Sequence, residues 1–164
     1  MPGQQKTLED LFHETLKDIY YAERKILAAL PKMAKAVQSD ELRAAFEKHT
    51  TETEGQVKRL QQVFKLIGQP AKGKVCPAIQ GLVEEGEEVM EEFADSKALD
   101  AGLLSGAQAV EHYEISRYGT LVAWAVQLRM KEAAQLLTET LNEEKKTDLS
   151  LTKLAEGTLN KMAA

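Results

Sequence analysis

Residues 8–37 read LEDLFHETLKDIYYAERKILAALPKMAKAV. Within them Phe12, Leu16, Ile19, Glu23, Ile26, Leu30, Met33 and Val37 recur at alternating steps of four and three. That is the seam of an amphipathic helix facing a core. Thr7 stands where an N-cap is needed, with Glu9 and Asp10 in the first turn, so the pattern predicts helix from about Leu8 to Gln38. Glu23 is the only charge in the seam. A carboxylate halfway along a buried stripe is expensive unless something compensates it.

Three more long helical patterns follow, at about Asp40–Ile67, Ala98–Leu128 and Lys131–Lys161, and a shorter one at about Ala78–Ala94 is opened by Pro77. Gly68, followed by Gln69-Pro70, stops the second. The first and second long helices are joined by a very short connection, as are the third and fourth, so each pair predicts an antiparallel hairpin. The long link between the hairpins suits a crossover that carries the short helix. The expected fold is therefore all-α: a single domain over residues 1–164, a four-helix bundle with ferritin-like topology. Glu84, Glu85, Glu87, Glu88, Glu91 and Glu92 on the short helix read as a solvated face.

Composition narrows the function classes. With 164 residues, 43% of them hydrophobic and 29% charged, the chain has material for a real core and is neither disordered nor a membrane protein. A net charge of -5 argues against nucleic acid or an anionic membrane surface as the main partner. Cys76 is the only cysteine, which excludes an intrachain disulfide and any multi-thiolate site. Together with the charged N-terminal segment it predicts a reducing, cytoplasmic setting.

The other seams repeat what the first shows. The second helix offers Leu42, Ala45, His49, Glu52, Gln56, Leu60, Val63 and Ile67. The third offers Leu104, Ala107, Glu111, Glu114, Tyr118, Leu121, Ala125 and Leu128, and the fourth Ala133, Leu137, Thr140, Glu144, Asp148 and Leu151. Each is apolar at both ends and acidic in the middle. In an antiparallel bundle of similar helices the middles share one height, so Glu23, Glu52, Glu111, Glu114, Glu144 and Asp148 should face one another. So many buried carboxylates must take up protons or cations. Oxygen-rich ligation with His49 as the single imidazole suits iron or manganese better than a thiol-seeking metal, and iron is expected ahead of manganese. The candidate ligands are Glu23, His49, Glu52, Glu111, Glu114, Glu144 and Asp148 around two divalent ions. Glu52 and Glu144 would bridge, and Gln56 would orient a carboxylate. The rival reading is an inert acidic core paired with the nearby Arg24, Arg59 and Arg117. A weak repeat accompanies the pattern: Glu52 and Gln56 map onto Glu144 and Asp148 at an offset of 92, and Glu23 onto Glu114 at 91.

Val110-Glu111-His112-Tyr113-Glu114-Ile115 resembles the corresponding helix of rubrerythrins, and the 33-residue step from Glu111 to Glu144 is similar to theirs. Nearly the whole chain more closely resembles the YciE/YciF family of ferritin-like bacterial stress proteins. The matching phrases are Asp18-Ile19-Tyr20-Tyr21-Ala22-Glu23, His49 with Glu52 and Gly55-Gln56, Glu111 to Ile115 with Tyr118-Gly119-Thr120-Leu121, and Glu143-Glu144-Lys145 with Thr147-Asp148. The resemblance implies a cytoplasmic, homodimeric bundle tied to stress responses, with a metal centre handling iron or peroxide. A non-enzymatic stress or interaction protein with a loosely metallated acidic core is the alternative. The chain departs from rubrerythrins in one respect: three residues after Glu52 stands Gly55, and three after Glu144 stands Thr147, where those proteins place histidine. Their redox activity therefore does not carry over directly.

Overall fold

The computed structural model describes residues 5–164 and is helical throughout, with α1 at Leu8–Ala36, α2 at Asp40–Leu66, α3 at Pro77–Glu92, α4 at Leu99–Gln127 and α5 at Lys131–Leu154. Local chemistry accounts for the starts. Thr7 Oγ1 accepts from Asp10 N at 3.2 Å, and Asp10 Oδ2 accepts from Thr7 N at 2.8 Å, a capping box for α1. Ser39 Oγ accepts from Leu42 N at 3.2 Å to cap α2, and the buried Cys76 sulfur accepts from Ile79 N at 3.4 Å ahead of Pro77. Gly68, with φ of 68°, turns the chain out of α2 in a conformation that side chains resist.

The expected single last helix is divided. α5 passes into a π-helical turn, Ala155–Leu159, and a short α6, Asn160–Ala163. Leu151, Ala155 and Leu159 are all buried at steps of four, which drift around an ordinary helix of 3.6 residues per turn. The wider turn compensates that drift and keeps the three on the core side.

α1 packs on α2 and α4 on α5, while α1–α4 and α2–α5 complete the square and α3 lies against α1 and α4. The α1–α2 turn meets the start of α4 through Asp100, and the start of α1 and end of α2 border the α4–α5 turn in one surface pocket. α1 therefore runs against α4, and the α2–α4 link crosses the full length of the bundle. The six glutamates of α3 are exposed, as its sequence requires. Phe12, Phe64, Ala125 and Ala133 fill one end of the interior, and Leu30, Leu42, Leu104 and Leu151 the other. Each large apolar side chain so buried contributes about 1.5–3 kcal/mol.

Asp100 fastens the second end. Its Oδ1 accepts from Gln38 N at 2.8 Å and its Oδ2 from Ser39 N at 2.6 Å, so one buried carboxylate satisfies both amides of the α1–α2 turn. Asp100→Ala leaves those donors unpaired and should lower unfolding stability by about 2 kcal/mol. Urea melts check this through a lower midpoint at unchanged slope; a midpoint equal to the parent's would show that the two bonds contribute nothing.

Candidate metal centre

Halfway along the bundle the apolar filling gives way to Glu23 from α1, His49 and Gln56 from α2, Glu111 and Glu114 from α4 and Glu144 from α5, all buried. His49, Glu111, Glu114 and Glu144 each bring a ligand atom within 4.8 Å of the others. His49 Nε2 lies 3.1 Å from Glu111 Oε1 without meeting hydrogen-bond geometry. Glu23 stands beside Glu114 and Glu144, its Oε1 accepting from the buried hydroxyl of Tyr118. Gln56 Nε2 donates to Glu144 Oε1 and, at 3.1 Å, to Glu143 Oε2.

Glu52 and Asp148 lie at the rim, half-buried. Glu52 Oε2 accepts from Thr147 Oγ1 at 3.3 Å and lies 4.0 Å from His49 Nδ1, while its Oε1 is 3.5 Å from Lys48 Nζ. The α2 residue on the core side is Thr53, fully buried, because the seam runs Leu42, Phe46, His49, Thr53, Gln56, Leu60. Asp148 Oδ1 accepts from Gln108 Nε2 at 3.2 Å and sits 3.1 Å from His112 Nε2. Neither joins the close group of four.

Electrostatics separate the rim from the interior. Burial, then the charge of Glu144, raises Glu23 from its ordinary 4.5 to about 8. Burial, then the contact with Glu144, drives Glu111 well above the carboxylate range, and burial with the charges of Glu144 and Glu23 does the same to Glu114. Glu52 moves the other way, lowered chiefly by His49. The arginines are engaged elsewhere: Arg59 pairs with Glu143 and Glu139, Arg24 lies over the ring of Tyr20, and Arg117 over that of Tyr113. Among the described residues, no lysine or arginine forms an ion pair with Glu23, Glu111, Glu114 or Glu144.

Among the described residues, eight buried side-chain atoms have no hydrogen-bond partner: both nitrogens of His49, both oxygens of Glu114, and one oxygen each of Glu23, Gln56, Glu111 and Glu144. All belong to this layer. Buried polar atoms are seldom left so, and oxygen donors with one imidazole are the set a hard or borderline divalent cation takes. The residues fit a metal centre.

The family model described as a domain of unknown function, DUF892, matches residues 7–164. The chain belongs to the DUF892 family. A curated relative, Protein YciF of Escherichia coli K12, is 46% identical over 159 residues, 96% of each chain. The crystal structure of that organism's stress protein YciF superposes with a TM-score of 0.91 at 46% identity, covering 96% of this chain and 99% of the other. YcfI from Rhodopseudomonas palustris, described as a candidate structural protein, gives 0.88 at 47% identity over 93% of this chain and 97% of its own. A protein of Xanthomonas campestris shares the fold at 20% identity, with a TM-score of 0.74 over 95% of this chain and 96% of its own. The sequence resemblance to the YciE/YciF family and the all-helical bundle are thus confirmed. Among the described residues, no helix is long and apolar enough to cross a membrane.

Tyr118 is buried in the α4 seam, as its spacing predicts, and its hydroxyl also holds Glu23. Its place in the α4 seam, one turn beyond Glu114, was the available signal. His112 lies off the seam and neighbours Asp148 at the rim.

Metal-free protein should lose stability as pH rises. Between 4.5 and about 8 the folded chain keeps a proton on Glu23 that the unfolded chain has released, so each step up in pH favours unfolding. Glu52 acts in the opposite sense only at lower pH, its contribution being lost as pH falls through its depressed value. Thermal melts of chelator-treated protein should therefore show a falling Tm from pH 5 to 8, and Glu23→Gln should make the fall shallower while Glu111 and Glu114 sustain the rest. A Tm that rises over this range would contradict the assignment.

Proposed function

We propose that the chain is a di-metal carboxylate protein of the bacterial stress response, binding two divalent ions, iron ahead of manganese, in its mid-bundle layer. The observation that carries this reading is the set of eight unpartnered polar atoms on four buried glutamates, His49 and Gln56, with no lysine or arginine among the described residues paired to those glutamates. Glu23, His49, Glu111, Glu114 and Glu144 would hold the ions. Gln56 would keep Glu144 oriented through its hydrogen bond, and Tyr118 would do the same for Glu23. Glu52 and Asp148, at the rim, would be alternate ligands that require a side-chain swing. When bound, the ions would supply one-electron chemistry toward iron or peroxide. The chain's own groups take and release the protons: Glu23, Glu111 and Glu114, held protonated by burial, must surrender them as metal enters.

The stress connection rests on YciF, described as a stress protein, and extends to this chain through 46% identity over nearly its whole length. We place it in the cytoplasm as a homodimer, the exposed Leu11, Leu66, Val126 and Leu149 offering apolar surface outside the seams. The same raised carboxylates favour one rival, a non-enzymatic bundle whose acidic core is protonated and loosely metallated.

Elemental analysis separates the two. Protein purified without added metal or chelator should carry up to two transition-metal ions per chain, and Glu111→Ala with Glu144→Ala should abolish them. Adding Fe(II) or Mn(II) to metal-free protein should release protons, read as buffer-dependent heat, and raise stability by about 2.7 kcal/mol at free metal 100-fold above Kd for one site. If the double variant holds as much metal as the parent, the centre lies elsewhere.

A further inference from the structure

An apolar channel reaches the same layer from outside, between α1, α3 and α4. At its mouth Lys32 Nζ and Glu87 Oε1 lie 3.7 Å apart, both side chains well exposed. Met33, Val83 and Val110 wall it, and His49 and Glu111 close its inner end. Its free volume is about 40 Å³. A single water needs only about 10–15 Å³, and a cavity that admits benzene is nearer 150 Å³, so the space suits a molecule of two or three heavy atoms. A water held there also needs two to four polar partners, and between the Lys32–Glu87 pair at the mouth and His49 with Glu111 at the inner end the lining side chains supply none.

Gly86 on α3 and Gly106 on α4 border the channel, and a Cβ built on either meets no atom within 4 Å. Glycine is a poor residue for a helix interior. The room for a side chain at both positions shows that close helix packing does not require them. A larger side chain on either would have this space to enter.

We propose that this channel admits and holds dioxygen, a small apolar molecule, next to His49 and Glu111. Use of that ligand rests on the metal-centre reading; the cavity itself does not. Hydrogen peroxide is a poorer occupant, because its two O–H donors would lie unpaired against apolar walls.

Xenon tests the cavity without any metal. Crystals of metal-free protein pressurised with xenon should show density between Val83 and Gly106. Gly106→Leu should remove it, and Val83→Ala should raise its occupancy. Circular dichroism would confirm that both variants are helical, and Gly86→Leu provides a second obstruction from the opposite helix. No xenon in the parent, or xenon undiminished in both leucine variants, overturns the proposal. In Fe(II)-loaded protein at equal iron content, Gly106→Leu should slow iron oxidation by dioxygen about tenfold, equivalent to about 1.4 kcal/mol in the barrier, and leave oxidation by peroxide unchanged. Equal slowing of both oxidants, or of neither, also overturns it. A protein that takes up neither iron nor manganese would defeat the metal-centre reading, while the xenon result would still decide the channel.

Discussion

Desolvation of Glu23, Glu111, Glu114 and Glu144 is the constraint on which the rest of the bundle depends. Even after relaxation, a buried ion is penalised by several kcal/mol, whereas a whole domain is stable by only about 5–15 kcal/mol. Four ionised and unpartnered carboxylates in one layer would exhaust that margin. The structure meets the difficulty in two ways. Apolar layers on both sides, ending in Phe12 and Phe64 at one end and Leu30 and Leu42 at the other, supply the burial that keeps the layer closed. Within it, burial and the neighbouring carboxylates raise Glu23, Glu111 and Glu114 so that their protons remain until a cation replaces them. A salt-bridged core would have used Arg59, but that side chain is turned toward Glu143 and Glu139.

The connections serve the same layer. A crossover the length of the bundle brings α4 in beside α1 and opposite in direction, so Glu111 and Glu114 arrive level with Glu23. Asp100, holding the amides of Gln38 and Ser39, fixes that register from the far end. α3, carried on the crossover, covers the α1–α4 face and roofs the channel.

The fold was legible because its signals are periodic and local: seams of four and three, Thr7 and Ser39 as caps, Gly68 as a stop. The site was legible on α1, α4 and α5, where the seam admits one path through Glu23, Glu111, Glu114 and Glu144. On α2 it admits two. From His49 to Gln56 a step of three then four passes through Glu52, and a step of four then three through Thr53. Charge favoured the first on paper, whereas packing chose the second, together with Phe46 in place of Ala45. The internal repeat resolves the choice once a single offset is demanded. A shift of 91 places Leu42 on Ala133, Phe46 on Leu137, His49 on Thr140, Thr53 on Glu144 and Glu23 on Glu114, and all ten are buried. The offset of 92 that pairs Glu52 with Glu144 matches charge but not burial. Tyr118 with Glu23, and Asp100 with Gln38, could not be read in advance, since their partners lie 95 and 62 residues away.

That single offset also exposes an asymmetry with chemical content. Where the second hairpin supplies Glu144, the first has Thr53, whose hydroxyl is spent on the carbonyl of His49 at 2.8 Å. The first hairpin therefore brings one carboxylate and one imidazole to the layer, and the second brings three carboxylates. The sum has a consequence for stoichiometry. Four ionised glutamates balance two divalent cations, leaving the buried layer neutral, and a neutral layer is the one a low-dielectric interior tolerates. One divalent cation reaches the same neutrality only if two glutamates keep their protons. Glu52 and Asp148 are not needed for balance in either case. Their places at the rim, with Lys48 beside Glu52 and His112 beside Asp148, keep both outside the buried layer.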